Sequence, residues 1–406
     1  MFHLSNRYVQ ATPCRVGGWL VLFWGPQNRH KGSRRGNGLE GYRGREEEII
    51  MNIGLIGLPN SGKTTIFNAL TRSQAQVSAY ANLKSEPNRA MLEVPDERVT
   101  TLSEMYKPRK TTNAVIELID FAGLTGGSAR EGLFSGSSAG LIKNTDALAI
   151  VVGHFQDDPT ETLTPLRDIE QLEEELLISD LIVAENRLER IEKAYRRGNK
   201  TNLLEMEEKL LRRITDHLTR NRLIRDLELN GEPEKMIRGF QFLTQKPVMV
   251  IVNSDENNFG KNLTLLEDIG KRYRIIEFAG KFEMELAQLI DQEEIALFMA
   301  DMGIRESARD RLCRAAYKLM GYISFFTVGS DEVRAWSIQG GENVIVAAGT
   351  IHTDLARGFI RAECFSYQDL MAYGSEKQVS ERGLSRLEGR NYVVQDGNIL
   401  NIRFNV

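Results

Sequence analysis

The chain has 406 residues, 41% of them apolar, and 52 basic against 56 acidic side chains give a net charge of −4. That length holds two or three domains with real cores, so the chain is globular, and the near-neutral balance argues neither for nor against nucleic acid. Three scattered cysteines, Cys14, Cys313 and Cys364, exclude a disulfide scaffold and a cysteine zinc site and suit a reducing cytosol. No apolar run reaches the ~18 residues that span a bilayer, so a soluble, cytoplasmic protein without a membrane partner is expected.

Residues 1–50 differ from the rest. Met1 to Leu39 carries no acid, six Lys or Arg, and the apolar patch VGGWLVLFW ahead of RHKGSRRGNG. The patch is short and lacks a small-residue cleavage site, and the Gly- and Arg-rich stretch can bury little, so a disordered extension is expected; an organellar transit segment is the alternative.

Met51 sits just ahead of a short apolar run, Asn52 to Ile56, expected of a buried parallel strand, and residues 57–64 then read GLPNSGKT, a full phosphate-binding loop. Gly57 and Gly62 let the backbone fold tightly, so that successive N–H groups turn inward on phosphate oxygens. Lys63 places a point charge on the terminal phosphates, Thr64 offers a hydroxyl to Mg2+, and the helix KTTIFNALTR aims its positive end at the anion.

Further apolar strands are expected at AVIELID (114–120), ALAIVV (147–152), PVMVIVN (247–253) and 274–278, alternating with helices. This pattern predicts an α/β fold with a mostly parallel sheet covered on both faces, whose ligands sit at the carboxyl ends of the strands. Asp120 ends one strand and opens the turn DFAGL, where a carboxylate can hold a magnesium-bound water while the Gly123 N–H approaches the terminal phosphate; an ordinary strand-end turn is the alternative. Asn253 ends another strand, and in NSDE it is placed with Glu256 to read a base edge; the guanine pattern N-K-x-D is broken at Ser254 and Glu256. A common strand-end turn would read the same way.

Between these motifs, residues 168–230 form an insertion. Two amphipathic stripes, from Ile169 to Tyr195 and from Met206 to Leu218, meet at Gly198 and Asn199, which predicts an antiparallel helical arm. Its tip carries Arg187, Arg190, Lys193, Arg196, Arg197 and Lys200. These either meet RNA phosphates or form a solvated face laced by pairs such as Glu189 with Lys193. From 323 to 406 the runs ISFFTV, EVRAWSI and RNYVVQDGNILNIRF, the last with a hairpin turn at Asp396 and Gly397, predict a separate small α+β binding module.

The loop GLPNSGKTT, the turn DFAGL, NSDE, the helical insertion and the tail VRAWSIQGGENVIVAAGTIHTDLARGFIRAE…GRNYVVQDGNIL together resemble the YchF-type Obg-like ATPases from Met51 onward. The resemblance implies an Obg-type P-loop NTPase domain over 51–322, with the arm inserted at 168–230, and a β-grasp TGS domain over 323–406. It further implies ATP preferred over GTP through Asn253 and Glu256, phosphate binding by Asn60, Ser61, Gly62, Lys63, Thr64 and Thr65, Mg2+ at Thr64 with Asp120 behind it, and Lys63 with Gly123 at the reacting phosphate. A ribosome or RNA partner, reached through the arm and the TGS domain, with a role in translation or stress, follows from the same likeness. Two departures stand out. LKSEPN places Lys84, beside Ser85, where the family has a switch threonine, and TGGSAREGLFSG lacks the family's histidine. Leu124 also stands where related GTPases use glutamine, so backbone groups, Arg130, Lys84 or K+ held near Asn60 would have to substitute. A nucleotide-gated adaptor with little hydrolysis and a GTP-preferring enzyme of the same fold are the alternatives. His154, His217 and His352 are scattered and carry no catalytic assignment.

Overall fold

The structure is a computed structural model and describes residues 14–16, 19–21, 51–71, 87–121, 137–155, 163–229 and 231–405. In the first of two compact units, Met1–Glu46, β1 (Cys14–Val16) pairs antiparallel with β2 (Trp19–Val21). The remainder of the expected extension lies outside the described residues.

In the second unit, Glu47–Val406, β3 (Met51–Ile56), α1 (Lys63–Thr71), β4 (Asn88–Glu93), α2 (Glu97–Tyr106), β5 (Lys110–Thr112), β6 (Val115–Asp120), α3 (Ser137–Lys143) and β7 (Ala147–His154) come first. The arm follows as α4 (Pro165–Arg196) and α5 (Asn202–Thr219), and then α6 (Glu232–Ile237), β8 (Val248–Ser254), α7 (Leu263–Gly270), β9 (Arg274–Phe278), α8 (Gly280–Leu286), α9 (Gln292–Asp301) and α10 (Ala308–Met320).

The central sheet runs β4-β6-β3-β7-β8-β9, parallel except for the edge pair β4 and β6. Alternation along the strands divides the core. Ile53, Leu55, Ala149, Val151, Met249 and Ile251 face α1 and α10. Ile56, Ile150, Val152, Val250 and Val252 face the root of α4 with Ile142 and Ile269. Both faces are covered, as near-continuous apolar strands require. At β3 a Cβ on Gly54 would lie 2.8 Å from the Phe121 ring, so close packing demands glycine there.

The arm is as expected, with its break at Gly198 (φ +83°) and its own apolar seam through Leu177, Ala184, Ile191, Leu211, Ile214 and Leu218. Thr201 caps α5 by accepting from Leu204 N–H. At the root, Asp180 is buried and accepts from Leu243 N–H, Thr244 N–H and the Thr244 hydroxyl at 2.7–2.8 Å. Four of the six basic tip residues stand in ion pairs, Arg187 with Glu207, Lys193 with Glu189, Arg196 with Glu192 and Lys200 with Glu205.

The C-terminal module contains β10 (Tyr322–Thr327), β11 (Glu332–Gln339), α11 (Val344–Ile351), α12 (Thr353–Arg357), β12 (Phe359–Ser366), α13 (Tyr367–Tyr373), α14 (Glu376–Glu381), β13 (Arg386–Glu388) and β14 (Asn398–Phe404). Its order is β13-β12-β14-β10-β11, with β10 parallel to β14 in the middle, and α11 packs on one face over Phe325, Trp336 and Leu400. This is a β-grasp topology. Four short helices lie between its strands; Asn343, Ser366 and Ser375 each cap a run too short to show a period in the sequence.

Two expectations change here. Asp396 and Gly397 do not form a hairpin tip. The Asp396 carboxylate accepts Ser324 N–H at 2.9 Å and both Arg98 terminal nitrogens, while Gly397 N–H donates to Ser324 O, so the turn is anchored to β10 and α2. The module also does not end at its own strands. β5 extends the sheet by running parallel to β11, with Lys110 and Thr112 both bonded to Glu332. Beside it, Arg98 of α2 lies 4.9 Å from the Phe326 ring, and Val99 and Leu102 share a core with Phe326, Val333 and Ile399.

Candidate functional site: a phosphate-binding loop and a base-side loop

The strand β3 lies between β6 and β7, so the loop that leaves it opens at the carboxyl edge of the sheet. Packing and backbone conformation impose both glycines. A Cβ on Gly57 would sit 2.4 Å from Val151 O, and Gly62 has φ +81° with only 2.0 Å between its would-be Cβ and Asn253 Nδ2. Asn60 is also left-handed at φ +62°, a conformation asparagine tolerates better than most residues. Ser61 and Lys63 are buried, whereas Thr64 and Thr65 are half-buried in the first turn of α1.

Lys63 Nζ donates to Gly57 O at 2.8 Å and Leu58 O at 3.4 Å, folding the amine into the loop. Burial lowers its pKa, and the nearby Asp120 carboxylate works in the other direction. At the end of β6, Asp120 Oδ2 accepts the Thr64 hydroxyl at 3.3 Å and the Asn88 amide at 3.4 Å. Asp120 Oδ1 and Ser61 Oγ are buried without a hydrogen-bond partner. Burial raises the Asp120 pKa, while Lys63, Asn88 and Thr64 oppose that shift. A carboxylate oxygen and a hydroxyl bare in the interior, beside a buried lysine, form a set that suits a phosphate-bound hard cation. Among the described residues no cluster of three His, Cys, Asp or Glu could hold a metal by itself, so the remaining ligands would be phosphate oxygens and water.

On the other flank, Asn253 is buried at the end of β8. Its amide donates to Ser61 O at 3.2 Å and its Oδ1 accepts Gly280 N–H at 3.1 Å, tying the phosphate loop to the first residue of α8. Glu256 stands exposed three residues later. The structure therefore joins Gly57, Asn60 to Thr65, Asp120 and Asn253 in one edge. Gly123, Leu124, Arg130, Lys84 and Ser85 lie outside the described residues. The sequence pattern alone assigned no role to Asn88, which follows Pro87 at the start of an edge strand and becomes visible only through its reach to Asp120.

A strand–loop–helix that cradles anions at the switch of a parallel sheet defines a P-loop nucleotide hydrolase. Family models agree: residues 52–187 match a 50S ribosome-binding GTPase model, MMR_HSR1, and residues 322–405 match YchF-GTPase_C, described as a protein of unknown function (DUF933). The chain is 35% identical to the ribosome-binding ATPase YchF of Bacillus subtilis over 88% of this chain and 100% of that one. It is 37% identical to its counterpart in Pasteurella multocida over 87% and 99%. The solved Schizosaccharomyces pombe YchF GTPase superimposes with a TM-score of 0.76 at 30% identity, covering 89% of this chain and 99% of that one. The chain belongs to the YchF family.

Proposed function

We propose that this protein is a slow, magnesium-dependent ATPase that acts with the ribosome in the cytoplasm, its nucleotide state governing a regulatory role in translation or stress. The observation that carries this reading is the buried Lys63–Asp120 pair with Asp120 Oδ1 bare at the loop. Thr64 and, through water, Asp120 would hold Mg2+, which supplies charge neutralisation on the transferred phosphoryl group. The loop N–H groups and Lys63 bind and orient the phosphates, Gly123 N–H completes their stabilisation, and Asn253 with Glu256 selects adenine. The names of the bacterial relatives support ATP and the ribosome, and the β-grasp module supports its reading as a TGS domain.

The test is phosphate release by the full chain and by Lys63→Ala, with and without ribosomes and with Na+ exchanged for K+. Release that depends on Lys63 is expected; equal release by both proteins overturns the reading. Lys84 and the absence of a histidine from 122–136 favour a second reading, a nucleotide-gated adaptor, which tight ATP binding without turnover under every condition would support. Competition between ATP and GTP for one labelled analogue separates both from a GTP-preferring enzyme.

A further inference from the structure

Behind the base-side loop lies a polar network that the proposed chemistry does not use. Loop 254–262 leaves β8 at Ser254 and enters α7 after Asn262. Its first turn closes on Asp255, whose carboxylate accepts Asn257 N–H and Asn258 N–H at 2.9 Å and the Asn258 amide at 2.8 Å. The rest of the loop converges on one side chain from the neighbouring strand β9. Glu277 Oε1 accepts the Ser254 hydroxyl and the Asn262 amide, each at 2.7 Å, and Oε2 accepts Gly260 N–H at 3.0 Å. Asn262 in turn donates to Asn258 O at 3.0 Å and meets His154 Nε2 at 3.0 Å through its Oδ1. Glu277 is itself fixed from behind, because Arg311 of α10 donates to its backbone carbonyl at 2.7 Å.

We infer that Glu277 is a positioning residue for base specificity: it holds loop 254–262 at its start through Ser254 and toward its end through Gly260 and Asn262, and so sets where Glu256 stands relative to Asn253. This rests on the reading that Asn253 and Glu256 recognise the base. The same network accounts for the serine in NSDE. Ser254 is 2% exposed and its hydroxyl is bonded to Glu277, so a lysine there, as in the guanine pattern, would push a four-carbon stem and a charge into the space that Glu277 and Asn262 occupy. The three donors come from separate points of the loop, and a carboxylate has the lone pairs to accept all of them. Glutamine would keep one acceptor oxygen and turn a donor toward another donor.

The experiment measures affinities of the full chain for ATP, GTP and inorganic tripolyphosphate in Glu277→Ala, Glu277→Gln, Glu256→Ala and the Glu256→Ala/Glu277→Ala double variant. Tripolyphosphate reports the phosphate loop alone. The expected result is a fall in ATP-over-GTP preference on the order of tenfold in Glu277→Ala, a smaller fall in Glu277→Gln, and unchanged tripolyphosphate affinity. Glu256→Ala alone should lose the preference equally, with no further loss in the double variant, because both changes act on one interaction. If Glu277→Ala does not fold, Glu277→Gln carries the test. Unchanged preference in the Glu277 variants, with a loss in Glu256→Ala, overturns the positioning role and leaves the base reading intact. Equal weakening of all three ligands also overturns it, since that marks a purely structural carboxylate. Unchanged preference in Glu256→Ala, or no ATP preference in the wild type, overturns the base reading and this inference with it.

Discussion

Two carboxylates in this molecule, Asp120 and Asp180, are both fully buried, and burial raises the pKa of each. They differ in what surrounds the oxygens. Asp180 is satisfied by two backbone N–H groups and a hydroxyl from residues 243 and 244, and it fastens the arm to the segment leading into β8. Among the described residues, Asp120 receives two long bonds on one oxygen, and its other oxygen has no partner. A buried charge is therefore no sign of function by itself. The unsatisfied oxygen, costly to keep inside a protein, is the feature on which the proposed function rests.

The contrast breaks most visibly at its counter-charge. Lys63→Ala should cut phosphate release and ATP affinity by about 1,000-fold or more, since it removes both the phosphate contact and the charge facing Asp120; calorimetry with a phosphate assay measures this. Asp120→Asn should lower phosphate release on the order of 100-fold and raise the Mg2+ requirement, while thermal stability stays level or rises as a buried charge is removed.

Asp180→Asn should do the reverse, leaving nucleotide affinity unchanged and costing stability, because an amide turns a donor toward backbone N–H groups. Its pH dependence gives the sharper contrast. The folded pKa of Asp180 is pushed from 3.8 up to about 6, so its contribution is fully present below about pH 4 and is lost as pH rises through about 6. The advantage of wild type over Asp180→Asn should thus shrink by about 3 kcal/mol across that window in urea titrations. Asn88→Ala should raise the Mg2+ concentration needed for half-maximal turnover only a few-fold, since its bond to Asp120 is long. Smallest of all, reversing Arg196, Arg197 and Lys200 to Glu should weaken ribosome co-sedimentation a few-fold and flatten its salt dependence. No change would make the tip a solvated face, the reading its ion pairs favour.

The phosphate loop was legible from sequence because its pattern is local: Gly62 is demanded by its own dihedral and Gly57 by Ser61 Oγ, 2.8 Å from its would-be Cβ, although Val151 O and Asn253 Nδ2, distant in sequence, press on them more closely. Asp120 and Asn253 were legible because each ends an apolar run. β4 and β5 were not, since β4 buries only Leu92 and β5 is three residues long with no buried side chain. Neither carries an apolar period, and both are held by partners distant in sequence. The turn at Asp396 misled for a related reason. The Asp-Gly pair predicts a tight turn correctly but says nothing of Arg98, 298 residues earlier, which claims the carboxylate. Glu277 was invisible because its three donors come from β8 and the following loop, and an isolated glutamate in RIIEF reads as an exposed strand residue.

The strand β5 belongs in sequence to the nucleotide domain and in space to the C-terminal sheet, where Lys110 meets Glu332 across 222 residues. At roughly 5–20 residues per second, synthesis keeps that strand waiting on the order of 10–45 s for its partner. A fragment cut at residue 322 would carry the mirror-image problem, an uncovered β11 edge able to recruit another chain. The C-terminal module is thus finished by a piece of backbone made long before it, so its sheet is complete only when both halves of the chain are present.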